Sequence, residues 1–151
     1  MGESKKLDFG DFQTPREFTS KICQILKKFY LINPQILIEP TAGLGNFVFA
    51  ALETFNKIDY VYCIDIQEKY KDIFTEKLQK SPFQAKNLTI EYKVGSIYDH
   101  IFSNQFFSYL TTQEKPSILI IGNPPWVTNS NLSKINSGNL PKKRKDRKSV
   151  V

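Results

Sequence analysis

An α/β fold with a mainly parallel, doubly wound sheet is what this 151-residue sequence predicts, and three observations carry it. Short apolar runs rich in Ile, Val and Tyr alternate with amphipathic stretches of helical length. The first of these runs ends in a glycine-containing turn that leads into a helix, the opening of a nucleotide-binding βαβ unit. The last, Ser117 to Gly122, ends in the corner Asn123-Pro124-Pro125-Trp126, at the strand edge where open α/β sheets hold their ligands. Four strands and a helix in front of them are predicted, so the sheet reads as incomplete.

Residues 1–7 are polar. Thr14 is placed to cap a helix, with Pro15 and the acid Glu17 in its first turn. Phe18, Ile22, Ile25, Leu26 and Phe29 recur at helical spacing, so a helix is expected from Pro15 to about Tyr30 with those residues inward. Phe9 and Phe12 would serve as a hydrophobic staple in front of it. Asn33-Pro34 breaks the helix, and Ile36-Leu37-Ile38 begins the first core strand. That strand runs into Glu39-Pro40-Thr41-Ala42-Gly43-Leu44-Gly45-Asn46, and an apolar helix is expected from Phe47 to Phe55.

Tyr60 to Ile64 reads as the second strand, ending at Asp65. A helix from Glu68 to Gln79 follows, with Tyr70, Ile73, Phe74 and Leu78 inward, and Ser81-Pro82 stops it. Leu88 to Val94 alternates as a third strand, closed by Gly95-Ser96-Ile97-Tyr98-Asp99. A short helix within Asn104 to Leu110 precedes the fourth strand at Ser117–Ile121, whose unbroken apolar character predicts burial.

Composition bounds the chemistry. Hydrophobic residues make up 40% and charged residues 24%, values of an ordinary globular domain. Cys23 and Cys63 lack paired spacing, so neither a disulfide framework nor a cysteine-ligated metal is expected, and a reducing cytosol fits. His100 is the only histidine and reads as a surface residue near a strand end. The net charge of +6 is concentrated in residues 142–151, which hold six Lys/Arg and one acid. Residues 1–141 therefore form the domain, near neutrality at +1, and 142–151 a basic tail. No apolar run has the length of a membrane span and the N-terminus lacks a signal-peptide core, so a soluble, cytoplasmic protein is expected.

The glycine loop lacks the third glycine of the dehydrogenase fingerprint and the Gly-Lys-Ser/Thr of an ATPase phosphate loop. Glu39, Gly43, Gly45 and a carboxylate at Asp65, 20 residues beyond Gly45, instead describe a site for a nucleoside without phosphates. S-adenosylmethionine fits, because carboxylates can hold its ribose and ammonium with no pyrophosphate to repel. The Asn123 corner offers a side-chain oxygen, backbone carbonyls and a flat indole, which suits a planar partner bearing an amino group. Alone, the same corner is an ordinary strand-ending turn.

Together these motifs resemble the amino-methyltransferases that modify adenine in DNA. The family signature Asp/Asn-Pro-Pro-aromatic corresponds to Asn123, Pro124, Pro125 and Trp126, and the family cofactor loop to Glu39, Pro40, Thr41, Ala42, Gly43 and Gly45. Phe9-Gly10-Asp11-Phe12-Gln13-Thr14-Pro15 resembles the upstream motif that flanks the methionine part. The resemblance covers residues 8 to about 144 and implies an incomplete Rossmann-like fold of the class I S-adenosylmethionine-dependent methyltransferases. It implies that Phe12, Gln13, Thr14, Pro15, the loop residues, Asp65, Ile66, Ser96, Ile97 and Asp99 bind the cofactor. The family often has an acid where Ser96 stands, which leaves Asp99 as a substitute or the contact made differently; Ile97 or Tyr98 would pack on the adenine ring or in the core. Motif order resembles the gamma class, with recognition C-terminal to catalysis. Double-stranded DNA is the implied partner, with a cognate or fused restriction endonuclease beside it.

Two other readings compete. A protein glutamine-N5 methyltransferase resembles the chain from residue 39 onward but leaves Asp8 to Pro15 unexplained, and a non-catalytic nucleotide-binding module would make Trp126 a core residue. Asp146-Arg147-Lys148-Ser149-Val150-Val151 reads as a translated adapter, so the chain is expected to be an N-terminal fragment of the catalytic domain, with little activity of its own.

Overall fold

In the computed structural model, residues 13–85 and 87–124 are described and lie within one unit, Gln13–Pro124. Its sheet holds β1 (Ile36–Glu39), β2 (Tyr60–Asp65), β3 (Thr89–Val94) and β4 (Ile118–Ile120), in the order β3-β2-β1-β4. All neighbours are parallel, with Ile38 opposite both Tyr62 and Ile120, and Asp65 opposite Val94. Successive strands are added on one side as far as β3, then β4 returns to the other side of β1. The β1/β4 boundary is therefore the topological switch point, where ligands gather at the carboxyl ends of the strands.

Among the described residues, four α-helices accompany the sheet: α1 (Arg16–Phe29), α2 (Asn46–Thr54), α3 (Lys69–Gln79) and α4 (Asn104–Thr112). Alternation along the strands sorts side chains to two cores. One face sends Leu37, Val61, Cys63 and Tyr92 against Cys23 of α1, Val48 and Ala51 of α2, and Phe74 of α3. The other sends Ile36, Ile38, Tyr60, Tyr62 and Ile64 against Phe106 of α4. The fold is the incomplete Rossmann-like, mainly parallel α/β arrangement that the sequence predicts.

Several local expectations are corrected. Pro15, not Thr14, is the residue before α1, and no side chain caps the helix; the Pro15 carbonyl accepts from the Phe18 and Thr19 N–H groups. The inward face of α1 is rotated from the predicted one. Thr19 and Cys23 are buried, Leu26 packs against the core and Ile22 is half-buried as predicted, whereas Phe18 is 56% and Phe29 68% exposed, and Ile25 is exposed as well. The small pair Thr19/Cys23 allows α1 to approach α2 closely, and the Thr19 hydroxyl donates to the Asn46 carbonyl at 3.1 Å. Likewise, on α3 Tyr70 and Phe74 are buried while Ile73 faces solvent.

Among the described residues β4 pairs with β1 alone, so its expected burial is not met: Ile118 is exposed, Leu119 half-buried and Ile120 66% exposed. α4 extends two residues beyond Leu110. It is capped by Ser103, whose hydroxyl oxygen accepts from the Phe106 N–H at 3.1 Å while its proton goes to Glu91 at 2.7 Å. His100 is half-buried instead of lying on the surface, its Nε2 sharing a 2.8 Å hydrogen bond with the Tyr62 hydroxyl. Both cysteines are buried thiols. No helix among the described residues is long and apolar enough to cross a membrane.

Candidate functional site

At the carboxyl end of β1 the chain must turn sharply from strand to helix, and two glycines make that turn: Gly43 at φ +50° and Gly45 at φ +74°. A side chain at either position would also collide. A Cβ on Gly43 would lie 2.4 Å from the Gln13 carboxamide, and one on Gly45 2.4 Å from the Phe74 ring.

The N–H groups of this loop are directed inward. Ala42 donates to the Ile64 carbonyl at 2.9 Å, Gly43 to the Asp65 carboxylate at 2.7 Å, Leu44 to Gln13 Oε1 at 3.0 Å, and Gly45 to the Ala42 carbonyl at 2.7 Å. The N-terminus of α2, where a dinucleotide fold receives pyrophosphate, is met by the protein's own Glu39. Glu39 is 2% exposed, and its Oε2 accepts from the Val48 N–H at 3.2 Å. Burial holds the Glu39 carboxyl well above the ordinary carboxylate range; the Val48 N–H opposes this and the nearby Asp65 charge reinforces it. The loop is thus acidic, spends its backbone donors internally, and would be relieved electrostatically by a cation.

Asp65, at the end of β2, accepts from the Gln67 N–H at 2.8 Å through its other oxygen. The Asp65 carbonyl accepts from the Gly95 N–H at 2.9 Å, which fastens the end of β3 beside it. The segment beyond folds back on itself, with Tyr98 N–H donating to the Ser96 hydroxyl at 3.3 Å. Ile66, Ile97 and Asp99 are exposed, and Tyr98, at 92% exposure, has no core role.

The Asn123 corner reaches the same place. The Ile121 N–H bonds to the Ile38 carbonyl at 3.0 Å, and Gly122 lies so close to the loop that a Cβ there would sit 3.2 Å from Thr41 Oγ1 and 3.3 Å from Pro40 Cδ. Asn123 Nδ2 donates to Thr14 Oγ1 at 3.2 Å. The structure thereby gathers Gln13, Thr14, Glu39 to Gly45, Asp65 and Asn123 around the ends of β1, β2 and β4, with Pro124 exposed beside Asn123. Pro15 turns instead to the start of α1. Phe12, Pro125 and Trp126 lie outside the described residues.

A methyl donor carrying a sulfonium, an ammonium and no phosphate suits this donor set. Two buried or half-buried carboxylates, glycines in the positive-φ region and inward-turned N–H groups favour a cationic nucleoside over a nucleotide. Thr41 Oγ1 and Gln67 Oε1, both buried, have no hydrogen-bond partner among the described residues, so polar capacity remains beside the loop and beside Asp65. Two further residues shape the loop unannounced by any motif. The Tyr92 hydroxyl donates to the Gly43 carbonyl at 2.9 Å, and Asn46 Nδ2 donates to the Thr14 carbonyl at 2.8 Å. Tyr92 was legible only as an inward position of an alternating strand.

No protein-family model matches the chain. The sequence is 37% identical over 139 residues to the Type II methyltransferase M.NspV of Nostoc sp., an alignment covering 92% of this chain and 27% of that protein. The chain thus spans about a quarter of its relative's length. Among solved structures, PH1948 of Pyrococcus horikoshii, assigned as an RNA methyltransferase, superposes with a TM-score of 0.55 at 18% identity, over 80% of this chain and 51% of that one. The likeness to PH1948 shows the fold.

Proposed function

We propose that this chain, which has the Rossmann-like fold seen in solved methyltransferases and is related in sequence to a type II methyltransferase, methylates the exocyclic N6 amino group of adenine in DNA with S-adenosylmethionine as donor. The observation that carries this reading is a junction: the Asn123 corner lies directly against an acidic, phosphate-averse cofactor loop. A site of that kind sets an amino-group acceptor next to a methyl donor.

S-adenosylmethionine, when bound, supplies a methyl group activated on a sulfonium. Glu39 and Asp65 provide negative charge for its cationic end and ribose, Gly43 and Gly45 let it approach the backbone, and Gln13 borders it. Ile66 and Ile97 offer exposed apolar surface for the adenine ring, and Ser96 and Asp99 polar groups at its edge.

An adenine amino group is a poor nucleophile because its lone pair is conjugated with the ring. Asn123 Oδ1 and the Pro124 carbonyl accept its two hydrogens, which draws the lone pair out of the ring plane without covalent catalysis. Positioning and preorganised acceptors supply the rate gain. The target base must leave the duplex, at a cost of a few kcal/mol. Stacking on the Trp126 indole, worth about 1–3 kcal/mol, offsets much of that.

Restriction–modification is the physiological setting we assign, with duplex DNA as partner in the cytoplasm. The test is transfer of radiolabelled methyl from S-adenosylmethionine by the native polypeptide, followed by digestion of the DNA to nucleosides. Label in N6-methyldeoxyadenosine is the expected result. Label in methylated cytosine, or in protein glutamine with none in DNA, would overturn the substrate assignment.

A further inference from the structure

We propose that Thr14 is a positioning residue for Asn123, receiving the carboxamide NH2 so that Oδ1 is aimed at the amino group to be methylated. This rests on the adenine-methylation reading and assigns the Thr14 hydroxyl to the acceptor residue, in place of the cofactor role expected from the motif.

The geometry is a short strap tied at three points. Leu44 N–H donates to Gln13 Oε1 at 3.0 Å, Asn46 Nδ2 donates to the Thr14 carbonyl at 2.8 Å, and Asn123 Nδ2 donates to Thr14 Oγ1 at 3.2 Å. Two consecutive residues thus join the glycine loop, the first residue of α2 and the Asn123 corner. The first two bonds hold the strap in place, so Thr14 Oγ1 is delivered to Asn123 from a fixed backbone.

A carboxamide has two ends of nearly the same shape and opposite hydrogen-bonding character, so packing alone does not choose between them. Turned the wrong way, Asn123 would present NH2 to an amino group, donor against donor, and the lone pair would stay conjugated. A hydroxyl can meet either end of an amide. Only the orientation with Nδ2 on Thr14 leaves oxygen for the substrate, and the substrate's own N–H groups select it. Thr14 supplies the acceptor that this orientation requires.

The experiment has a spectroscopic and a kinetic arm. In the isotopically labelled chain, the Asn123 side-chain amide pair is identified by its loss in Asn123→Asp. Thr14→Val is expected to shift both resonances toward solvent-exposed values, and Thr14→Ser to restore them. In the native polypeptide Thr14→Val is expected to lower kcat by about tenfold or more. The Kd for S-adenosylhomocysteine, measured by calorimetry, is expected to stay within about twofold, with Thr14→Ser recovering turnover.

Amide resonances indifferent to Thr14→Val would overturn the positioning role. So would a cofactor affinity that falls as far as kcat, since Thr14 would then be a cofactor ligand. Expected resonances together with a wild-type enzyme that leaves adenine unmethylated would locate the failure in the functional reading and remove the role with it.

Discussion

The Asp65 carboxylate and the Gly43 N–H are joined by a 2.7 Å hydrogen bond that crosses from the end of β2 to the glycine loop after β1. With its second oxygen on the Gln67 N–H at 2.8 Å, Asp65 holds two backbone donors at once. An amide cannot do this, because one of its two ends is itself a donor. Asp65→Asn is expected to cost about 1–3 kcal/mol in urea unfolding, the cost of one orphaned donor. It is also expected to weaken S-adenosylhomocysteine binding, through a loop no longer pinned. Unchanged stability with intact binding would show that the loop keeps its shape without this bond.

Glu39 predicts a stability that depends on pH in an unusual sense for a carboxylate. Its folded-state value is raised, by burial first, so its contribution is complete below the ordinary carboxylate range and is lost as pH rises through the raised value. Glu39→Gln keeps an oxygen for the Val48 N–H and removes the charge. The variant is expected to be more stable than wild type above the ordinary carboxylate range and to show a flatter pH profile there. Binding a cationic nucleoside should lower the Glu39 value, so calorimetry in buffers of different ionisation enthalpy is expected to detect proton release in wild type and none in Glu39→Gln. Parallel pH profiles for the two proteins would contradict the assignment.

The two loop glycines should fail in different ways. A Cβ on Gly45 meets the Phe74 ring within the core as well as a positive φ, so Gly45→Ala is expected to cost about 2–4 kcal/mol. A Cβ on Gly43 meets the tip of the Gln13 side chain, which can swing aside. Gly43→Ala should therefore cost about 1–2 kcal/mol of backbone strain and release the Gln13 clasp on Leu44. A double-mutant cycle with Gln13→Ala checks this: the two changes should be strongly non-additive.

On α1 the buried side is Thr19 and Cys23, so polar replacements of the exposed Phe18 and Phe29 should be tolerated. Phe18→Lys and Phe29→Lys are expected to alter stability by no more than about 0.5 kcal/mol. Thr19→Val, which leaves the Asn46 carbonyl without its hydroxyl donor, should cost about 1 kcal/mol. Thermal unfolding of the three variants distinguishes this face from the one that periodicity favours.

Asn123→Ala removes an acceptor used in the transition state and is expected to lower kcat by about 100- to 1000-fold. Cofactor affinity should change little, since Asn123 reaches the loop through Thr14. Turnover equal to wild type would defeat the catalytic reading and favour a nucleotide-binding module.

Strand and helix order, the parallel sheet and the loop at its end are local properties, written in apolar runs and in glycines that only a tight turn requires. They were legible because residues within each run decide them. The inward face of α1 was legible only in part: Leu26 packs inward, but Phe18, Ile25 and Phe29 yield to the smaller pair Thr19/Cys23, which close approach to α2 favours. Burial of β4 was likewise overestimated, because a strand's neighbours are a property of the sheet.

By itself the sequence determined the fold class, the residue types at the site and the absence of a phosphate-loop lysine. Tertiary structure alone decided what those residues do to each other: that Glu39 fills the helix N-terminus, that Asp65 pins Gly43, and that Thr14 meets Asn123 across 109 positions of chain. Hydrogen-bond partners so distant in sequence are chosen by where the strands end in space, which no local pattern records.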